Sequence, residues 1–215
     1  MNKNAKKIIG ITPRIIFEEN VEKQFVNTRY ISFLEKLGFN YLMLNLDNPN
    51  LNDILDLCDG FLITGGDDID PKLYNEENTA SINIHPRMDE TDMKVIDYAV
   101  KNKKLLLGIC RGFQIINTYF SGSLYQDIPN HQKTRHIINV IDNKYSTQKS
   151  FETNSHHHQA AKVLGKDLVV IAHSTDNIVE AFYHKTLPII ATQWHPEIEC
   201  SEFELELFRY FIKNL

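Results

Sequence analysis

Apolar and polar positions along the 215-residue chain fall into two alternating patterns. Short apolar runs at residues 8–12, 41–46, 60–64 and 104–109, the first of them β-branched, read as buried strands. Between them lie segments with apolar residues every three or four positions. Residues 24–37 carry Tyr30, Ile31, Leu34 and Leu37 on one stripe, with Gly38 just past the end. Residues 51–57, 89–102 and 112–120 follow the same helical period, the second with Met93, Ile96 and Val100 in line. The second half is richer in strands, at 136–141, 168–173, 178–183 and 189–194, before an amphipathic helix at 201–214 that turns Phe203, Leu207, Phe208 and Phe211 to one side. Alternating strands and helices predict an α/β fold with a mostly parallel central sheet and helices on both faces. Without long Pro, Gly or Ser stretches or internal repeats, residues 1–215 are expected to form a single domain.

Composition narrows the partners. Lys plus Arg number 23 against 28 Asp plus Glu, a formal charge of −5 that gives no basic surface for nucleic acid. The apolar run after the basic residues Met1 to Lys7 is too short for a signal or membrane segment, so no membrane partner is expected. Cys58, Cys110 and Cys200 are odd in number and far apart, which speaks against a disulfide framework and for a reducing, cytoplasmic setting.

In open α/β sheets ligands sit beyond the carboxyl ends of strands, which selects residues 64–70, 108–114 and 193–197. Gly108-Ile109-Cys110-Arg111-Gly112 puts a cysteine between a buried strand and a helix start, with a glycine two residues away on each side. Small residues there allow the strained turn of a nucleophile elbow, and a helix N-terminus favours thiolate over thiol. A buried structural cysteine would look the same locally, so a partner is needed. Gln193-Trp194-His195-Pro196-Glu197 supplies one: in an extended segment His195 and Glu197 point to the same side. That makes Cys110 a candidate nucleophile, His195 its base and Glu197 the group that orients the imidazole. His156-His157-His158 invites a metal, but consecutive histidines diverge and no Cys, Asp or Glu stands nearby at zinc spacing, so no metal is assigned.

Residues 108–114 (GICRGFQ) and 193–197 (QWHPE) resemble the two signatures of class I glutamine amidotransferase domains. Residues 65–74 (GGDDIDPKLY), 124–127 (LYQD) and 154–159 (NSHHHQ) are similar to the stand-alone gamma-glutamyl hydrolases typified by gamma-glutamyl-gamma-aminobutyrate hydrolase. Leu105 and Ser121 depart from that pattern, where Pro and Gly are frequent, and the loops after Asp70 and around 142–153 look short.

The resemblance implies a flavodoxin-like fold and hydrolysis of a gamma-glutamyl amide through a thioester on Cys110. It implies an oxyanion hole from the backbone N–H groups of Gly66 and Arg111, and substrate contacts from Gly65, from Gln114 and, through backbone groups, from Ser155 and His156. No cofactor is implied. The expected partner is a small gamma-glutamyl conjugate, such as a gamma-glutamylated amine or, in capsule biosynthesis, gamma-glutamyl-CDP-amidate. Lys72, Arg87 and Arg111 are candidates for meeting a phosphate. A glutaminase subunit feeding ammonia to a synthetase is the alternative, and a homodimer is left open.

Overall fold

The computed structural model describes residues 6–142 and 148–213. The strands are β1 (Ile8–Ile11), β2 (Arg14–Glu18), β3 (Val21–Phe25), β4 (Asn40–Met43), β5 (Gly60–Ile63), β6 (Leu105–Ile109) and β7 (Ser123–Tyr125). They continue with β8 (Thr134–Val140), β9 (Ser150–Ser155), β10 (Ala160–Val163), β11 (Leu168–Ser174), β12 (Val179–His184) and β13 (Ile189–Thr192). The helices are α1 (Thr28–Lys36), α2 (Leu51–Leu55), α3 (Pro86–Lys101), α4 (Arg111–Tyr119), α5 (Pro196–Glu199) and α6 (Glu202–Lys213). Nine strands share one sheet in the order β4-β1-β5-β6-β13-β12-β11-β8-β9. The first five run parallel, and β12, β11, β8 and β9 extend the sheet antiparallel.

The pleat sends alternate residues of the parallel strands to opposite faces, and each face meets its own helices. Leu62, Leu107, Ile109 and Ile190 pack with Tyr30, Phe33 and Leu34 of α1 and Leu205, Leu207, Phe208 and Phe211 of α6. Phe61, Ile63, Leu106, Ile189 and Ala191 pack with Leu51 and Leu55 of α2, Val95, Ile96 and Ala99 of α3, and Phe113, Ile115 and Ile116 of α4. The strand ends that carry residues 64, 110 and 193 therefore open at one edge of a sheet buried on both sides.

Several predicted boundaries move. The helix expected over 24–37 begins only at Thr28, because Asn27 accepts a hydrogen bond from Arg29 N at 3.0 Å as its N-cap. Residues 14–25 instead form a β2–β3 hairpin, made possible by left-handed Glu19 and Asn20 at the turn. Helix α3 starts three residues early, at Pro86, the first-turn position where a missing N–H costs nothing. Helix α2 ends at Leu55 rather than 57. Of the closing helix over 201–214, residue 214 lies outside the described residues, as do 143–147 of the loop judged short. Strands β7, β9 and β10 carry too little apolar alternation to announce themselves. Ser121 adopts φ +68°, the left-handed conformation that explains why glycine suits that position. Among the described residues no helix is long and apolar enough to cross a membrane, and all three cysteines are free.

Candidate active site

Strand β6 delivers Cys110 and its neighbour β13 delivers His195, with Ile109 in register with Thr192. Cys110 N donates to Thr192 O at 2.8 Å, tying the two strand ends together just where the chain turns. Cys110 itself has φ 53° and ψ −103° and stands as the N-cap of α4. That sparsely populated backbone lifts the thiol above the sheet and toward the helix N-terminus. The turn is feasible because Gly112 passes so close to β5 that a Cβ there would lie 2.2 Å from Ile63 O.

His195 Nδ1 lies 2.7 Å from Glu197 Oε1, and the histidine backbone is clamped by Asn154, whose side chain donates to His195 O (2.9 Å) and accepts from His195 N (3.1 Å). Burial alone would discourage charge on His195. The charge of Cys110 and its hydrogen bond, followed by the hydrogen bond and charge of Glu197, outweigh burial and raise the imidazole to about 10. Cys110, His195 and Glu197 are thus brought together as an electrostatically linked trio.

Gly65 and Gly66 cross directly in front. A Cβ on Gly65 would lie 2.8 Å from Tyr30 Oη and 2.9 Å from His195 Cε1, so a side chain there would push the tyrosine hydroxyl or the imidazole aside. Gly65 N donates to Tyr30 Oη at 2.9 Å, whereas Gly66 N–H makes no hydrogen bond among the described residues. Arg111 N, in the first turn of α4, is likewise free of an intrahelical partner. The loop is anchored from behind by Arg14, whose guanidinium donates to Thr64 O (2.6 Å), Gly65 O (2.7 Å) and Pro13 O (2.9 Å). Arg14 also pairs with Asp92, which with Asp89 holds the buried Arg111 side chain.

A cavity of about 250 Å³ opens over Cys110, walled by Gly66, Gln114, His156 and the Asp67–Asp68 turn. Gln114 is buried, 3.3 Å from Gln159 O. His156 meets the His195 ring edge-on at 5.8 Å between centroids. Ser155 is buried and donates to His131 O at 2.5 Å, so its hydroxyl serves the loop and is not part of the cavity wall. Asp68 is engaged by His158 at 3.0 Å and by Ile82 N at 2.8 Å.

The phosphate candidates need correction. Arg111 is buried in ion pairs, Arg87 is paired to Asp47 and Glu22, and neither they nor Lys72 line the cavity. Arg14, Tyr30 and Asn154 shape the site without having been singled out as site residues. Their only signal in the sequence was apolar or motif context, because their partners lie 35 to 78 residues away.

A doubly covered α/β sheet with a cysteine elbow facing a histidine on the adjacent strand defines the class I glutamine amidotransferase-like fold. The chain belongs to the peptidase C26 family, whose model matches residues 7–197. It is similar to the glutamine amidotransferase-like protein YvdE of Lactococcus lactis, 34% identical over 95% of this chain and 97% of that protein. It is also 32% identical to the gamma-glutamyl-CDP-amidate hydrolase of Campylobacter jejuni, over 66% of this chain and 64% of that one. A GMP synthase subunit from Thermoplasma acidophilum superposes with a TM-score of 0.73 at 24% identity, covering 98% of this chain and 94% of its own.

Proposed function

We propose that the chain hydrolyses a gamma-glutamyl amide, with Cys110 as nucleophile, His195 as acid and base, and Glu197 orienting the imidazole. The observation that carries this reading is Cys110, strained at a helix N-terminus, beside an imidazole whose affinity for a proton is raised to about 10. In the first step Cys110 Sγ bonds the gamma carbon, the C=O electrons move onto oxygen, and Gly66 N–H and Arg111 N–H receive the oxyanion. As the carbonyl re-forms, the C–N bond breaks and His195 gives its proton to the departing nitrogen. Water, deprotonated by His195, then attacks the thioester, and glutamate leaves as the thiolate returns.

The cavity lining bears on the leaving group. Among the described residues it contains Asp67 and Asp68 and no Lys or Arg, which favours a neutral or cationic amine over a nucleotide amidate. The likeness to the Campylobacter hydrolase supports the amidate, so both belong in one substrate panel. A second reading, a glutaminase subunit supplying ammonia to a synthetase, is supported by 32% identity to a glutamine-hydrolysing GMP synthase subunit over 75% of this chain.

Glutamate release should be followed with gamma-glutamyl amines, gamma-glutamyl phosphoramidates and glutamine. Release without a synthetase, a gamma-glutamyl adduct on Cys110 by mass spectrometry, and loss of both in Cys110→Ala are the expected results. Turnover of glutamine only after a synthetase is added would replace this reading with the second. Unchanged turnover by Cys110→Ala would remove the cysteine mechanism altogether.

A further inference from the structure

Beyond the cleft, four side chains from four separate segments converge in the interior. His131 comes from the segment between β7 and β8, His136 from β8, His157 from the β9–β10 connection, and Glu180 from β12. One ligand atom from each lies within 4.8 Å of all the others. His131 Nδ1, His136 Nε2 and His157 Nε2 each stand 3.5 Å from Glu180 Oε1. All four of these atoms, with Glu180 Oε2, are buried without a hydrogen-bond partner.

The spacing discriminates between two explanations. A charged histidine bonded directly to a buried carboxylate would sit at about 2.7–2.9 Å. Ligands bonded to one zinc ion at about 2.0–2.1 Å in a tetrahedron stand about 3.3–3.4 Å apart, close to the 3.5 Å from each histidine nitrogen to Glu180 Oε1, with the whole set inside 4.8 Å. The outer nitrogens agree. His157 Nδ1 faces Gln159 O at 2.9 Å and His131 Nε2 faces Asp176 Oδ2 at 3.0 Å. Donating those N–H groups leaves the lone pairs of His157 Nε2 and His131 Nδ1 pointing inward, the arrangement in which a carbonyl or carboxylate orients a metal-bound imidazole.

We propose that His131, His136, His157 and Glu180 form a structural site for one divalent transition-metal ion, with zinc the ion that best fits three imidazoles and one carboxylate. Four protein ligands fill a tetrahedron and leave no open position for water or substrate, so the ion does no chemistry. Its effect is to join the antiparallel half of the sheet to the wall of the cleft: His157 lies between His156, which faces His195, and His158, which holds Asp68.

The test is the metal content of the untagged full-length chain, read without any turnover, so that it stands or falls separately from the hydrolase reading. Mass spectrometry of the purified protein is expected to give about one zinc per chain. Cobalt exchanged into it should show the intense visible bands of a tetrahedral N/O site. Glu180→Gln and His136→Ala should lower bound zinc at least tenfold, whereas Cys110→Ser should keep it. Less than about a tenth of an equivalent after dialysis against zinc, or a six-coordinate cobalt spectrum, would overturn the site. Loss of the metal in Cys110→Ser would place it on the catalytic thiol instead. The cobalt spectrum of the unaltered chain decides the matter if the variants do not fold.

Discussion

At the residue scale, the charges around His195, Cys110 first and Glu197 second, set the alkaline limit of the proposed reaction. Glu197 is buried, so its charge acts on the imidazole with little screening. With the folded value near 10, above the ordinary 6.5, the stabilisation from this charge arrangement is whole below pH 6.5 and fades as pH rises through about 10. Catalysis needs the same proton for the leaving nitrogen, so kcat/KM should fall on the alkaline side near pH 10. Glu197→Gln should move that limb to lower pH and cut kcat by about 100-fold or more. A pH–rate profile whose alkaline limb stays in place in the variant would show that Glu197 does not act through His195. The pair was marked in the sequence by its spacing, but not for the expected reason: His195 caps α5 and Glu197 lies in that helix's first turn, so a helix start and not an extended segment brings them together. Arg14 was not marked: a lone arginine near an apolar run gives no hint that it will be buried against the carbonyls of residues 64 and 65.

At the element scale, the close crossing of α4 over β5 fixes the position of Cys110, the proposed nucleophile. Any side chain at residue 112 would drive into the Ile63 carbonyl, a backbone atom that cannot rotate away. Gly112→Ala should cost about 1–3 kcal/mol of stability by overpacking, read in urea unfolding, and shift the helix that carries Cys110. A displacement of about 1 Å there is enough for a 100-fold loss of kcat/KM. Wild-type turnover from a correctly folded Gly112→Ala chain would show that the crossing does not position the thiol. The α/β alternation was readable because the parallel strands are continuously apolar and their helices periodic. The β2–β3 hairpin was not, because Val21–Phe25 is mostly exposed and has no apolar face to reveal its period of two.

At the scale of the whole molecule, charge buried under the glycine loop holds distant segments together. Arg14, Asp92, Arg111 and Asp89 form a closed set in which each group has an opposite partner. Arg14→Met should leave three carbonyls and part of Asp92 without donors. It should cost about 3–5 kcal/mol, as is usual when one member of a buried ion pair is removed. Thermal unfolding measures the loss, and a change within experimental scatter would show that solvent reaches the site to replace the guanidinium. The proposed metal site was half legible for a related reason: residues 156–158 drew attention, but the absence of partners held only for the nearby sequence, since the other three groups come from residues 131, 136 and 180. Strand order carries a last consequence. β13, late in the chain, inserts between β6 and β12 in the middle of the sheet, and Leu106 waits for Ile189 as its partner. During synthesis on the ribosome, β6 therefore remains an open edge until the C-terminal region emerges. Cys110 and His195 are brought together in the same event, because Cys110 N pairs with Thr192 O only once β13 is in place.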